Sequence, residues 1–372
     1  MHTRRTALKA GAAGAAALMT STSLAQNSPQ QEGLLPQPNE TSDGKYRPRY
    51  RFGLGGAPIG GTNAAVSDED ALKILSNAWD AGVRMYDTSP WYGLGLSERR
   101  FGMLLHDKPR DSYVLSTKVG RVLNGAAKAP ETLWANPDSF DYRYDYSADG
   151  VRRSVEDSLQ RLGVSSLDIV YIHDLSPDNG DIKDSYRKYM DQAVAGAMPA
   201  LSRMREEGMI KGWGMGVNTL PPILEALQKA DPDVCLAACQ YTLMDHSESL
   251  EKLFPACDKS GVSIMVGSPL NNGFLTGRSR YNYSPKIPAG FNDKRSTMEK
   301  IAKDYGTDLR TAALQFCAAP SQVSCVIPGA SQPRQILENV KSMETTIAAE
   351  FWVELKDQGL IDQNAPVPSI SS

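Results

Sequence analysis

Eight short apolar segments alternate with longer amphipathic segments between residues 51 and 342. The apolar segments have the length of buried strands, and the segments between them carry apolar residues at helical spacing. A strand followed by a helix, repeated along the chain, builds a parallel sheet, because each helix returns the chain to the same edge. Eight such units favour an α/β fold, a single-domain (β/α)8 TIM barrel with one extra C-terminal helix.

The predicted strands are RFGLGGAPIG, VRMYDTS, SYVLSTKVG, SLDIVYIHD, IKGWGMGVN, VCLAACQYT, GVSIMVGSP and VSCVIPGAS. The predicted helices span 68–80, 96–105, 148–162, 193–207, 220–229, 250–260, 308–319 and 333–342, and the extra helix spans 348–358. Ser67, Ser147 and Pro333 are typical helix-start residues. An open, doubly wound sheet is the alternative, but no G-x-G-x-x-G fingerprint follows the first strand.

Residues 1–25 have the features of an export signal. Arg4 and Arg5 precede a weakly apolar stretch, Ala10 to Met19, that is too short to span a bilayer, and Ala25 ends a segment suited to cleavage. The segment resembles a bacterial twin-arginine (Tat) signal, which implies the Tat machinery as partner and a periplasmic location. An ordinary Ala-rich helix and a Sec signal are the alternatives.

The remaining chain divides in two. Residues 26–48 are rich in Pro, Gln, Asn and Ser and are predicted to form a flexible linker, and residues 49–368 are predicted to form the barrel.

Composition excludes several functions. The net charge of -3, from 40 basic and 43 acidic residues, gives no electrostatic reason to expect a nucleic-acid partner. No segment outside the signal is apolar enough for a stable membrane span. The chain has four histidines and five cysteines without zinc spacing, so we expect no metal site and interpret the cysteines as buried thiols.

Polar residues end six of the predicted strands, where a barrel carries its chemistry: Asp87, Lys118, His173-Asp174, Asn218, Gln240 and Ser268. Asp87 and Lys118 end neighbouring strands and can form an ion pair, either as a purely structural pair or as part of an active site. Tyr92 follows Asp87 on a loop, and we expect the lysine charge to lower its pKa. His173 ends the fourth strand and is suited to donate a hydrogen bond to a substrate oxygen.

This set of residues resembles the catalytic tetrad of the aldo-keto reductases. The matching motifs are MYDTSPWYG with Asp87 and Tyr92, LSTKVG with Lys118, and VYIHD with His173. The resemblance covers roughly residues 51–368. It implies hydride transfer with an NAD(P) cofactor and a role for Tyr92 as general acid or base. It further implies that Lys118 and Asp87 adjust the acidity of Tyr92 and that His173 orients the carbonyl.

The resemblance also implies a cofactor site. Asn218 and Gln240 match residues that hold the nicotinamide carboxamide, and Ser268 follows the seventh strand. The segment VIPGASQPRQILENV places six residues at the adenosine-phosphate end: Gly329, Ala330, Ser331, Gln335, Glu338 and Asn339. Backbone amides at a helix N-terminus suit a phosphate in any family.

Three features depart from the family pattern. Gly267 stands where many members have an aromatic residue that stacks on the nicotinamide. Gly329 and Gln335 stand where basic residues often bind the 2′-phosphate of NADP, with Arg334 adjacent, which slightly favours NAD over NADP. An export signal is unusual for enzymes of cytosolic nicotinamide pools, and a cofactor loaded before export would reconcile the two.

Within the family, DTSPWYGLGLSERRFG and STKVGRVL are most similar to the branch that oxidises sugar lactols or related hemiacetals. Residues 121–146 are predicted to cover the mouth, with four aromatic residues: Trp134, Tyr142, Tyr144 and Tyr146. A non-catalytic, cofactor-binding regulatory protein is an alternative. A barrel hydrolase that uses Asp87 with Asp174 is a weaker one.

Overall fold

The computed structural model describes residues 38–39, 44–62 and 64–368. The predicted export signal and part of the predicted linker lie outside these residues. The strands are β1 (Leu54–Gly55), β2 (Met85–Asp87), β3 (Val114–Val119), β4 (Arg121–Gly125), β5 (Phe140–Tyr144), β6 (Ile169–His173), β7 (Gly212–Val217), β8 (Val234–Ala238), β9 (Ser263–Gly267) and β10 (Val323–Ile327). The helices are α1 (Asp68–Asp80), α2 (Leu96–Leu105), α3 (Ala148–Leu162), α4 (Tyr186–Gln192), α5 (Met198–Glu206), α6 (Pro221–Lys229), α7 (Phe254–Ser260), α8 (Phe291–Asp304), α9 (Leu309–Ala318), α10 (Pro333–Glu344) and α11 (Ala349–Asp357).

Eight of the strands form one parallel sheet, in the order β1-β2-β3-β6-β7-β8-β9-β10. The two edges of this sheet also meet, because Phe52 bridges Val326 and Gly55 bridges Gly329 in parallel. The predicted (β/α)8 barrel is therefore confirmed. β4 and β5 pair separately as an antiparallel hairpin.

Apolar side chains pack on both faces of the barrel wall. Alternate residues of neighbouring strands form one buried cluster, as expected inside a barrel: Met85, Val114, Ile169, Tyr171, Val234, Leu236, Ala238, Met265, Cys325 and Ile327. A larger cluster joins strand residues such as Tyr86 and Leu115 to the helices outside. Because both faces of the wall are apolar, the strand ends are the places left for polar side chains.

Residues 44–48, at the end of the predicted linker, contact the barrel. Tyr46 packs against the cluster inside the barrel, and its backbone N–H donates to Asp233 at 3.2 Å. The Arg47 guanidinium donates to a backbone carbonyl at 2.6 Å. One aromatic ring and a few paired polar groups anchor this segment, whose composition is typical of a linker.

The predicted helix starts are confirmed at three positions. The Ser67 side chain accepts the N–H of Asp70 at 3.0 Å at the start of α1. Ser147 accepts the N–H of Gly150 at 3.1 Å at the start of α3. α10 begins at Pro333. These caps satisfy backbone donors that a helix leaves unpaired at its N-terminus.

Three elements differ from the prediction. The helix predicted at 193–207 begins at Tyr186 and passes through a π-helical turn, Ala193–Ala197. The β4–β5 hairpin and α8 were not predicted. α8 is highly charged and buries only Met298, Ile301 and Ala302, so its helical periodicity is weak.

All five cysteines are buried and none forms a disulfide, which confirms that they are buried thiols: Cys235, Cys239, Cys257, Cys317 and Cys325. Burial raises the pKa of the Cys239 thiol to about 12, which makes its thiolate rare at neutral pH. Among the helices of the described residues, none is long and apolar enough to cross a membrane.

Candidate active site

The four predicted catalytic residues lie together at one end of the barrel. Asp87 is the last residue of β2, Lys118 lies one residue before the end of β3, and His173 ends β6. Tyr92 lies in the loop that follows β2. β2, β3 and β6 are neighbours in the sheet, so their carboxyl ends meet at the same edge.

Asp87 and Lys118 form a buried ion pair, with 2.7 Å between Oδ2 and Nζ and side-chain exposures of 2 % and 1 %. Ser116 is the cross-strand partner of Asp87 and donates to its Oδ1 at 2.7 Å. Lys118 also donates to the carbonyl oxygen of Thr88 at 2.8 Å. Both charges are therefore paired and hydrogen bonded, which is the condition under which a buried ion pair is tolerated.

Lys118 also faces the ring of Tyr92. Its Nζ lies 4.6 Å from the ring centroid. The loop that carries Tyr92 is a tight turn, in which the Tyr92 N–H donates to the carbonyl oxygen of Ser89 at 3.1 Å. This turn fixes the phenol next to the lysine cation.

The prediction that Lys118 lowers the pKa of Tyr92 is wrong. Burial raises the pKa of Tyr92 well above its ordinary value, and the negative charge of Asp87 raises it further. The cation does not outweigh these two effects, because Asp87 lies 2.7 Å from its nitrogen. Tyr92 is therefore a neutral phenol in this environment.

His173 is a neutral imidazole beside Tyr92, with the two ring centroids 5.6 Å apart in an edge-to-face arrangement. Burial lowers the pKa of His173 well below its ordinary value, and the charges of Lys118 and Arg121 lower it further. The hydroxyl of Tyr146 donates to the backbone carbonyl of His173 at 2.9 Å, which fixes the end of the strand. The ring is thus uncharged at neutral pH.

Arg121 and Asp174 form a second ion pair at the rim, with 2.9 Å between Nη1 and Oδ2. The guanidinium lies 4.4 Å from the ring centroid of Trp91 and 4.9 Å from that of Tyr144. Arg121 begins β4, and Asp174 directly follows β6. The pair therefore ties the hairpin to the strand end that carries His173.

The β4–β5 hairpin and its connection place aromatic rings beside the mouth. Trp134, in the connection, lies 5.6 Å from Tyr92 between ring centroids. The hydroxyls of Tyr142 and Tyr144 both donate to Oδ2 of Asp181, at 2.9 and 3.0 Å. These bonds hold the hairpin against the loop that follows β6.

A groove adjoins Asp87 and Tyr92. Five of the nine predicted cofactor-binding residues line it: Ser268, Gly329, Ser331, Gln335 and Asn339. The segments after β9 and β10 therefore share one groove with part of the predicted catalytic set. Their roles in binding remain predictions.

The other four predicted cofactor-binding residues do not line this groove. Gln240 donates through Nε2 to the carbonyl oxygen of Asn218 at 2.6 Å, so these two are bonded to each other. Ala330 is buried, with 1 % exposure. Glu338 forms an ion pair with Arg310 at 2.5 Å.

The groove has polar groups that suit a dinucleotide. Asn339 is 2 % exposed, and its side-chain nitrogen lacks a hydrogen-bond partner within the described region. A buried donor of this kind is costly unless a ligand accepts its hydrogen. Arg278 and Arg310 also line the groove; Arg310 is paired with Glu338, and Arg278 supplies positive charge for a diphosphate. Across the described residues, no cluster of His, Cys, Asp and Glu could hold a metal ion.

The helix N-terminus expected to receive a phosphate is already capped. Oε1 of Gln335 accepts the backbone N–H of Ser331 at 2.8 Å and that of Gln332 at 3.2 Å. A neutral carboxamide oxygen thus occupies these donors. Arg278 is therefore the better candidate for contact with phosphate oxygens.

Sequence reasoning missed the loop after β9. Arg278 and Tyr283 lie on this loop and line the groove. The Tyr283 hydroxyl lies 2.9 Å from Oγ of Ser268. The available signal was a long loop, rich in Gly and Asn, at the functional end of a barrel strand.

Comparison with known proteins agrees with this arrangement. The model of the aldo/keto reductase family matches residues 51–358. A D-threo-aldose 1-dehydrogenase from a Pseudomonas species is 36 % identical over 321 residues, covering 83 % of this chain and 94 % of the relative. A pyridoxal 4-dehydrogenase from Microbacterium luteolum is 36 % identical over 327 residues, with 83 % and 94 % covered. A solved aldo-keto reductase from Bacillus halodurans, in its holo form, has a TM-score of 0.63 at 23 % identity, covering 88 % of this chain and 98 % of that one.

The fold and the strand-end site define a (β/α)8-barrel oxidoreductase. The chain belongs to the aldo/keto reductase family, whose members use NAD(P)H. The family match spans the barrel and includes both segments that line the groove.

We expect Lys118→Met to remove most turnover and to lower the free energy of unfolding by about 3–5 kcal/mol, because Asp87 would stay buried without its cation. Asp87→Asn is expected to retain more activity, because Lys118 keeps its bond to Thr88 and the asparagine oxygen can still accept a hydrogen bond from it. The measurements are kcat and urea unfolding, with Lys73→Met as the matched lysine control, since its ion pair with Glu69 is exposed on both sides, at 56 % and 78 %. If Lys118→Met kept full activity and an unchanged pH profile, the ion pair of Asp87 and Lys118 would have only a structural role.

Proposed function

We propose that this protein is an NAD(P)-dependent oxidoreductase that transfers a hydride between a nicotinamide and a carbonyl or sugar hemiacetal. The packing of Tyr92 against both Lys118 and His173, next to the groove, carries the proposal. The lysine nitrogen lies 4.6 Å from the phenol ring centroid, and the two rings are 5.6 Å apart. A neutral phenol and a neutral imidazole can both donate hydrogen bonds to one substrate oxygen.

Tyr92 acts as the general acid or base. During reduction, its hydroxyl gives a proton to the carbonyl oxygen, and His173 orients that oxygen with an N–H. During oxidation, Tyr92 accepts the proton of the hemiacetal hydroxyl. A bound nicotinamide would exchange the hydride, and its oxidised ring carries a positive charge that favours the phenolate. Lys118 then stabilises the phenolate through its charge.

Aromatic rings near the mouth support a sugar hemiacetal as substrate. Trp134 lies 5.6 Å from Tyr92 between centroids, and Trp91 lies 5.6 Å from Trp134. Flat apolar rings pack against the C–H faces of sugars while polar groups bind the hydroxyls. The similarity to an aldose dehydrogenase points the same way.

We further propose NAD as the preferred cofactor. Gln335 is neutral and its oxygen is engaged with backbone amides at 2.8 and 3.2 Å. The nearby Arg310 is balanced by Glu338 at 2.5 Å. A 2′-phosphate would therefore meet less positive charge here than a site built for NADP supplies.

The test is a panel of aldoses and aldehydes with NAD⁺, NADP⁺ and their reduced forms, followed by reduced-nicotinamide absorbance. We expect turnover of at least one aldose with NAD⁺. Tyr92→Phe should lower kcat by about two to four powers of ten, because it lacks the group that transfers the proton. Its melting temperature and dinucleotide affinity should stay at the parental values.

Tyr113→Phe is the matched control, because Tyr113 is 2 % exposed and its hydroxyl donates to a backbone carbonyl at 3.3 Å outside the mouth. Near-parental kcat in Tyr92→Phe would contradict the proton-transfer role. Dinucleotide binding without turnover of any substrate would favour a non-catalytic binding protein.

We also propose that the protein is exported after folding, through the twin-arginine route, and works in the periplasm. Arg4, Arg5 and the apolar stretch to Met19 support this proposal. The periplasm is not expected to hold a nicotinamide pool. A cofactor bound before export must therefore remain bound on dilution. This requires a Kd well below micromolar, which corresponds to a binding free energy more favourable than about -8 kcal/mol.

Protein purified from the periplasm is expected to contain one dinucleotide per chain, measured by mass spectrometry of the denatured supernatant. Replacing Arg4 and Arg5 together by lysine should trap the protein in the cytoplasm. An exported protein without nucleotide would contradict preloading. A cytoplasmic native protein with an uncleaved N-terminus would contradict export.

A further inference from the structure

Two side chains, of Ser89 and Asp174, lie beside the ring nitrogens of His173. Oγ of Ser89 lies 3.1 Å from Nδ1, and Oδ1 of Asp174 lies 3.5 Å from Nε2. Ser89 is fully buried and His173 is 6 % exposed. A neutral imidazole carries one hydrogen, so these contacts decide which nitrogen donates.

The hydrogen bonds of Ser89 assign Nδ1 as an acceptor. The backbone N–H of Trp91 already donates to Oγ of Ser89 at 3.1 Å. The hydroxyl can donate one hydrogen. Among the described residues that it contacts, Nδ1 of His173 is the available acceptor. If Nδ1 carried the hydrogen, Oγ would face two donors and its own hydrogen would be left without an acceptor in a buried site.

The charges on the other side of the ring agree. Oδ1 of Asp174 lies near Nε2, and a carboxylate there favours a hydrogen on that nitrogen. Arg121 pairs with Oδ2 of the same carboxylate at 2.9 Å, which limits its pull on a second proton. Lys118 and Arg121 also disfavour a charged imidazole.

We propose that Ser89 is a positioning residue that holds His173 in its Nε2–H tautomer. The nitrogen remote from Ser89 is then a hydrogen-bond donor, which is the form that a substrate oxygen requires. This inference rests on the proposed function, in which His173 binds that oxygen. Without the Ser89 hydroxyl, the ring can also adopt the Nδ1–H form, in which Nε2 presents a lone pair to the oxygen.

The experiment is ¹⁵N NMR of the full chain labelled at histidine, read without substrate or turnover. The chain has four histidines, so the signals that disappear in His173→Gln belong to His173. In the parent, Nδ1 should show the shift of an unprotonated nitrogen and Nε2 that of an N–H. In Ser89→Ala, the two shifts should move towards each other, as expected for a mixture of tautomers. A parent with the hydrogen on Nδ1, or an unchanged spectrum in Ser89→Ala, would overturn the inference.

The same variants are then assayed with the substrate found in the panel. Ser89→Ala should lower kcat about tenfold, the effect of one neutral hydrogen bond, with little change in KM. Ser89→Thr keeps the hydroxyl and should restore the parental tautomer. A parental kcat in Ser89→Ala together with shifted ¹⁵N signals would overturn the catalytic importance of Ser89.

Ser176→Ala is the matched control. Ser176 is 1 % exposed, lies after the same strand as His173, and contacts the Thr219 hydroxyl at 2.7 Å. It should change neither the His173 shifts nor kcat. A parental kcat for His173→Gln would contradict the role of His173 in the proposed function itself. The NMR signals of the parent and of Ser89→Ala test the tautomer separately, so they distinguish that result from a failure of the inference about Ser89.

Discussion

The buried ion pair of Asp87 and Lys118 is the constraint on which the site depends. Two charges that are 2 % and 1 % exposed cost free energy to bury, and their 2.7 Å contact at best offsets that cost. The parallel register of β2 and β3 makes the pair possible, because it places Ser116 beside Asp87 and Lys118 on the same face. A pair that contributes little to stability, and that lies under a tyrosine at the barrel mouth, is best explained by its chemistry.

The charges at the barrel mouth are arranged so that the phenol of Tyr92 and the imidazole of His173 stay neutral. Lys118 pairs with Asp87, and Arg121 pairs with Asp174. Burial raises the pKa of Tyr92, and burial together with the two cations lowers that of His173. Both side chains can then donate hydrogen bonds, and the positive charge next to the phenol becomes useful only when a proton leaves it.

The hydrophobic periodicity and the polar residues at strand ends were enough to predict the barrel. They also predicted that Asp87, Lys118 and His173 lie together at one edge of the sheet. The hairpin was not predicted: Phe140–Tyr144 alternates aromatic and charged residues, but its partner Arg121–Gly125 does not, and a long connection separates the two. The pKa of Tyr92 was predicted in the wrong direction, because the sequence shows a nearby lysine but not the burial or the compensating carboxylate. The contact of Ser89 with His173 joins residues far apart in the chain, and a sequence does not show such a distance.

The most direct test of this account combines stability and activity in one double variant, Asp87→Leu with Lys118→Met. Replacing a buried ion pair by apolar residues of similar size is often neutral or stabilising. We therefore expect a free energy of unfolding within about 1 kcal/mol of the parent, or above it, together with loss of turnover. A double variant that is as unstable as Lys118→Met alone would show that the pair holds the barrel together. Parental turnover in a stable double variant would show that the pair has no part in the chemistry.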